Sequence, residues 1–304
     1  MTTIGFLGPA GTFTEQALRT QSDLCRNDLV ELATIPDVLA AASTGEVSQG
    51  FVAIENAIEG AVNVTLDTLA FDTSLLIQRE VVLDIEMCLM ARPGTSPDQI
   101  TSVLSHPVAH AQCRQYVRDH LGHVAILAAT STAEAGRLAA EAEGTAAIGP
   151  VLVAERYGLE LLARNIADHP ENQTRFVLVA ADGIPPATGH DKTSVVLFQR
   201  MDKPGSLLAM LQEFAARDVN LTKLTSRPAK TALGHYCFVI DLEGHIADDL
   251  VADCLRSIQA KHAEVKFLGS YPAAGANGPQ LRRAADEAWA AADAWMRDLR
   301  ARIG

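Results

Sequence analysis

Residues 172–179 read Asn-Gln-Thr-Arg-Phe-Val-Leu-Val. An amide, a hydroxyl and a guanidinium stand together at the mouth of the apolar strand Phe176–Val179, just after a loop holding His169 and Pro170. Polar groups that lose water need hydrogen-bond partners or they cost free energy. Alone, the stretch reads equally as a strand entry facing solvent and as part of a site. The surrounding chain repeats the pattern and tips the reading toward a site.

The first 180 residues alternate strand and helix. Apolar strands are legible at Ile4–Leu7, Phe51–Ile54, Val103–Leu104, Val124–Leu127 and Ala146–Ile148, with helical stretches such as Ala109–Leu121 and Thr132–Ala142 between them. Leu75 to Ala91 reads as extended chain crossing between two lobes. This alternation predicts an α/β fold with open, mostly parallel sheets. In such sheets ligands bind beyond the carboxyl ends of the strands. Those ends are small and polar here: Gly8 to Thr14 with Thr12, Glu55-Asn56 and Glu59-Gly60, Ser105-His106-Pro107 with Gln112 and Cys113 further on, Thr130-Ser131-Thr132, and Gly149-Pro150. One such end is ordinary helix capping. Five of them, together with Thr174, point to a site between two lobes. Helix starts with hydroxyls and free amides bind anions, and glycines at 8 and 11 would let backbone approach a ligand. The expectation is a small anionic ligand held by amides, hydroxyls and Arg175. The residues alone leave an enzyme and a binding protein of the same architecture both open.

Ala181–Asp191, with two prolines and two glycines, reads as a linker. Beyond it, strands at Thr193–Phe198, Val219–Ser226, His235–Leu242 and Val265–Ser270 are interleaved with two amphipathic helices. The order is βαββαβ, a ferredoxin-like sandwich. Residues 273–279 break the chain again. The tail then spaces Leu281, Ala285, Ala288, Ala292, Trp295 or Met296, Leu299 and Ile303 as one face of a packing helix. The domains are accordingly expected at 1–184, 191–272 and 273–304, the last a C-terminal amphipathic helix.

Composition narrows the class. The chain has 304 residues, 48% apolar and 20% charged, with a net charge of −12. That charge argues against nucleic acid and anionic membrane surfaces as partners. No run is long enough for a transmembrane helix, and the N-terminus has no signal-like segment. Five cysteines without a CxxC pair fit a reducing cytoplasm. His106 and His110 stand at i, i+4 with no third ligand near them, and no phosphate loop is present, so neither a metal nor another cofactor is expected.

The motifs GPAGTFTEQA (8–17), IENAIEGAV (54–62), SHPVAHAQC (105–113), TSTAEA (130–135), AAIGP (146–150) and NQTRF (172–176) resemble the prephenate dehydratase family. KPGSLLAML (203–211), VNLTKLTSRP (219–228) and YCFVIDLEGH (236–245) resemble an ACT regulatory domain. The likeness covers residues 3–272, without chorismate mutase-like helices before it, and is to the single-activity form. It implies a two-lobed catalytic domain like a type II periplasmic binding protein, with the active site in its cleft. The implied reaction takes prephenate to phenylpyruvate, with loss of water and carbon dioxide and no cofactor. Thr174 falls on the family's essential threonine, a hydrogen-bond donor to the leaving oxygen. Glu55 is an alternative general acid. Asn56, Ser105, Gln112 and Asn172 would orient substrate and threonine. Thr12, Thr14, Ser131, Thr132 and Arg175 are candidate substrate contacts, with helix capping as the competing role for the hydroxyls and ion pairing for Arg175. Cys113 reads as packed rather than reactive. An arogenate dehydratase and an inactive ligand-binding regulator remain alternatives.

ACT domains pair side by side, so the resemblance implies a homodimer or homotetramer with feedback inhibition by L-phenylalanine. The effector site maps to Gly205, Ser206, Leu207 and Leu208, to Asn220 and Leu221, and to Thr225, Ser226, Arg227 and Pro228. The family's usual Glu-Ser-Arg-Pro is Thr-Ser-Arg-Pro here, which exchanges a carboxylate for the Thr225 hydroxyl.

Overall fold

The structure, a computed structural model, describes residues 2–201, 203–230, 235–274 and 294–302. It divides into two compact units, Met1–Gly183 and Ile184–Gly304. The first contains β1 (Thr3–Leu7), α1 (Phe13–Arg19), β2 (Asp28–Leu32), α2 (Ile35–Thr44), β3 (Gln49–Asn56), β4 (Gly60–Ala61), α3 (Asn63–Asp67), β5 (Leu76–Asp84), β6 (Cys88–Ala91), β7 (Ser102–Ser105), α4 (Pro107–Ala111), α5 (Arg114–Leu121), β8 (Ala125–Ala128), α6 (Thr132–Glu141), β9 (Thr145–Gly149), α7 (Val151–Tyr157), β10 (Glu160–Ala163) and β11 (Gln173–Ala180).

These strands form two sheets, in the orders β2-β1-β3-β11-β5 and β10-β6-β9-β7-β8, with β4 paired to β3. The chain builds most of the first sheet, crosses after β5, builds the second, and returns through residues 164–172 to insert β11 between β3 and β5. This is the two-lobed arrangement expected of the catalytic domain. The expectation of mostly parallel sheets is corrected. β1 runs parallel to β2 and β3, but β11 is antiparallel to both its neighbours. In the second sheet β7 is parallel to β8 and β9, while β6 is antiparallel to β9 and β10. The return crossing reverses the chain, and apolar runs carry no sign of strand direction.

One core spans both sheets. Ile4, Phe6, Phe51 and Phe176 from the first share it with Leu89, Val103 and Ile148 from the second. Phe51 and Phe176 stack with centroids 5.4 Å apart, fixing β3 against β11. A second cluster, including Met90, Leu104, Ala135 and Val153, packs the other face of the second sheet under α6 and α7. The helix expected over Ala109–Leu121 is two helices, because the chain leaves helical geometry at Cys113 (φ −126°, ψ 20°).

The second unit contains β12 (Asp191–Gln199), α8 (Ser206–Ala215), β13 (Leu221–Pro228), β14 (Tyr236–Glu243), α9 (Asp249–Lys261) and β15 (Ala263–Pro272). Its sheet is antiparallel throughout, in the order β13-β14-β12-β15. Val195, Leu197, Ile240 and Leu242 meet Met210, Phe214, Cys254 and Ile258 of the two helices in its core. This is the ferredoxin-like sandwich. In the tail, Leu281, Ala285, Ala288, Ala292 and Ile303 lie outside the described residues. Residues 294–300 are helical, with Trp295, Met296 and Leu299 exposed. No helix among the described residues is long and apolar enough to cross a membrane.

Candidate active site

The antiparallel pairing of β3 with β11 sets Thr174 opposite Asn56 and Arg175 opposite Glu55. Successive strand residues point to opposite faces. Asn56 and Thr174 therefore share one face, and Glu55 and Arg175 the other.

On the first face the polar groups form a chain. The Asn56 amide nitrogen donates to Thr174 Oγ1 at 2.9 Å and to Asn172 Oδ1 at 2.9 Å. Asn56 Oδ1 in turn accepts from the backbone amides of Ile58 and Glu59, both at 2.9 Å, which fixes the side-chain orientation. Asn172, buried, donates from Nδ2 to Gln112 Oε1 at 3.0 Å. Gln112 Nε2 completes the chain to Glu59 Oε1 at 3.4 Å. Gln112 comes from the second lobe and the other three amides and hydroxyls from the first. The chain thus spans the lobes and holds its members in one registered arrangement. Four residues that the sequence grouped as catalytic, Asn56, Gln112, Asn172 and Thr174, are brought together. Ser105 is buried nearby in sequence at the end of β7, where its hydroxyl donates to the His106 carbonyl at 3.1 Å.

On the opposite face Arg175 is buried in an ion-pair set. Its Nε lies 2.6 Å from Glu80 Oε2 and its Nη1 3.4 Å from Glu55 Oε2. Burial of a guanidinium requires such partners. This geometry gives Arg175 the ion-pair role that competed with its reading as a substrate contact. Strand alternation points Arg175 and Glu55 to the face opposite Thr174.

The loop after β1 also departs from expectation. Two of its amides are taken by carboxylates: the Ala10 nitrogen donates to Glu31 Oε2 at 2.8 Å and the Gly11 nitrogen to Glu15 Oε2 at 2.5 Å. Gly11 takes φ +95°, and a Cβ there would press on Arg156 and Ala133. The left-handed φ is what favours glycine at this position. Gly8 faces Glu31. Thr12 caps α1 without a side-chain cap bond, and its Oγ1 is buried with no hydrogen-bond partner among the described residues. Thr14 and Thr132 are buried. Ser131 is a helix cap, its Oγ accepting from the Glu134 amide at 3.0 Å. Glu134 also accepts from the Thr130 amide, one residue before the cap, at 2.6 Å. Cys113 is fully buried, and burial first, with the Asp168 charge second, pushes its thiol up to about 12. It is packed, as read. The sequence reading gave no role to Glu15 and Glu31, which accept from the amides of the loop after β1. Their signal was weak, because isolated surface-type carboxylates carry no period.

In the second unit a groove of about 440 Å³ is lined by Gly205, Ser206, Leu207, Leu208, Ser226 and Tyr236, among others. Gly205 sits at φ +85° at the start of α8, a conformation that glycine adopts without strain. The groove gathers part of the expected effector set. Leu224 and Ser226 pair with Ile240 and Phe238 on the helix side of the sheet. Thr225 and Arg227 alternate to the other side, and Asn220, Leu221 and Pro228 are not among its lining. No group of side chains suited to a metal ion occurs among the described residues.

With this geometry in view, residues 4–183 match the family described as prephenate dehydratase, and residues 194–260 match the ACT domain. A prephenate dehydratase of Mycolicibacterium gilvum is 42% identical over 311 residues, covering 98% of each chain. A prephenate dehydratase structure from Arthrobacter aurescens in complex with L-Phe is 39% identical with a TM-score of 0.86, covering 98% of this chain and 99% of that one. The Staphylococcus aureus prephenate dehydratase structure is 28% identical with a TM-score of 0.78, covering 89% of this chain and all of that one. By sequence over nearly its whole length and by fold, the chain belongs to the prephenate dehydratase family, its ACT domain following the two-lobed one.

Proposed function

We propose that this protein converts prephenate to phenylpyruvate and is inhibited by L-phenylalanine bound at its ACT domain. The observation that carries the mechanistic reading is the Asn56 bond to Thr174. Because Thr174 Oγ1 accepts there, its own proton is left to donate elsewhere. That proton makes a hydrogen bond to the hydroxyl leaving the substrate ring and stays on Thr174. The ring C–O bond breaks, the ring carboxylate leaves as carbon dioxide, and the electron pair of its C–C bond aromatises the ring. Prephenate dianion thus gives phenylpyruvate anion, carbon dioxide and hydroxide, which takes a proton from the medium. Thr174 stabilises charge on the departing oxygen as a placed hydrogen-bond donor. An alcohol is too weak an acid to be the net proton source. Asn56, Asn172 and Gln112 orient Thr174, and Ser105 lines the end of β7. Thr12 Oγ1, which lacks a partner, and the Thr14, Ser131 and Thr132 hydroxyls are the donors offered to the two carboxylates. Glu55 and Arg175 support the strand pair from behind.

Phenylalanine fits the α8 groove, where Leu207, Leu208 and Tyr236 would take the ring and the Gly205–Ser206 backbone its charged end. The Glu-to-Thr exchange at Thr225 lies on the far side of β13 from this groove, which favours retained inhibition. Side-by-side pairing of ACT domains would make the protein a homodimer or homotetramer, and a biosynthetic role of this kind would suit the cytoplasm. The test is phenylpyruvate formation from prephenate, with arogenate as a parallel substrate, with and without phenylalanine. Turnover of prephenate that falls on adding phenylalanine supports both halves of the reading. Turnover of arogenate alone, or of neither, overturns the substrate assignment.

A further inference from the structure

Gln112 stands at a break in a helix. Nothing in the local sequence demands that break, since the run from Val108 to Leu121 holds neither glycine nor proline. The neighbouring loop, residues 164–172, supplies the cause. The backbone N–H of Asp168 donates to the Gln112 carbonyl at 2.7 Å. The Asp168 carboxylate then accepts from the backbone N–H of Gln115 at 3.0 Å. The first bond takes a carbonyl that a continuous helix would use internally. The second satisfies one of the free amides at the start of α5, where Cys113 offers no side-chain cap. A carboxylate there also complements the positive end of the helix. The same loop ends in Asn172, whose Nδ2 holds Gln112 Oε1. One loop therefore grips Gln112 by its backbone and by its side chain.

We propose that Asp168 is a positioning residue for the dehydratase reaction. It caps α5 from across the lobe, fixes the break at Gln112–Cys113, and so presents the Gln112 amide to Asn172 and, through Asn56, to Thr174. It does not touch substrate. The inference rests on the proposed dehydratase reading, and turnover by the unmodified enzyme tests that reading separately.

The experiment is a double-substitution cycle in the full-length protein. Asp168→Ala lowers kcat tenfold or more with KM changed less than threefold. Asp168→Asn keeps an oxygen able to accept from Gln115 and stays within threefold of the unmodified kcat. In the Gln112→Ala background Asp168→Ala has less than a twofold further effect, because the route through Gln112 is already gone. The same factor lost in both backgrounds overturns the proposal, as does an unchanged kcat in Asp168→Ala. Equal losses for Asn and Ala also overturn it. A readout independent of turnover is the Gln112 side-chain NH₂ resonance. It moves in Asp168→Ala and holds in Asp168→Asn; a resonance unmoved in both variants sinks the proposal even if the enzyme proves to use another substrate.

Discussion

At Thr174 a hydroxyl is made a donor by its neighbour. The Asn56 amide occupies one lone pair of Oγ1, and the backbone amides of Ile58 and Glu59 keep Asn56 from rotating. Thr174→Ala removes the donor and leaves the strand pairing intact. Its kcat should fall by about 10²–10³-fold, the usual loss for one such placed donor, with phenylalanine binding and melting temperature nearly unchanged. Steady-state kinetics beside a melting curve checks both parts. Cysteines make a second residue-scale prediction. Of five, Cys25 is exposed and the rest are buried. Burial pushes Cys88 to about 11 and Cys254 to about 12, and the reactive form is the thiolate. Alkylation followed by mass spectrometry should modify one thiol in the native chain and all five after denaturation. At this scale the sequence was informative about identity and less so about orientation. The NQTRF stretch located Thr174 and Asn172. That Arg175 turns to Glu80 and Glu55 follows from strand alternation only once the partner strand is known.

Between elements, contact is set by what fits. Gly136 on α6 faces α7 so closely that a Cβ would overlap Val153 Cγ1. Gly136→Ala should destabilise the protein by about 1–3 kcal/mol, as overpacked interfaces do. Val153→Ala added to it should recover part of the loss, and denaturant titration of the three variants measures this. Strands whose apolar runs are long enough to be buried were legible. The break between α4 and α5 was not, because it is imposed by the 164–172 loop from outside the helix. The partial antiparallel character of both sheets escaped for a similar reason: direction belongs to the connection, not to the strand. In the second unit α8 and α9 are tied through Glu213, which meets Arg217 at 2.7 Å, His262 at 3.1 Å and Lys261 at 3.4 Å. The Ser257 hydroxyl first, then Arg217, His262 and the Lys261 charge, hold its carboxyl down from 4.5 to about 2. A lowered folded value means the contribution is full above the ordinary carboxylate range and is lost as pH falls from there through about 2. Thermal melts across that window should drop more steeply for the unmodified protein than for Glu213→Gln.

For the molecule as a whole, two units with separate cores allow ligand effects to be read by stability. If phenylalanine binds the native second unit and not the unfolded chain, a hundredfold excess over its Kd adds about 2.7 kcal/mol. Calorimetry should show the transition rising with phenylalanine and not with an equal concentration of alanine, which lacks the ring. An unmoved transition would count against the α8 groove as an effector site. The position of β11 has a consequence of another kind. The strand bearing Thr174 is the last of its unit to leave the ribosome, yet it fills a gap between β3 and β5, made far earlier. Until it arrives, those two strands are open edges, and open edges invite pairing with other chains. Such non-local closure is slow. During synthesis the nascent first unit is therefore most vulnerable to aggregation just before its catalytic strand docks, and gain of activity reports that the unit has closed.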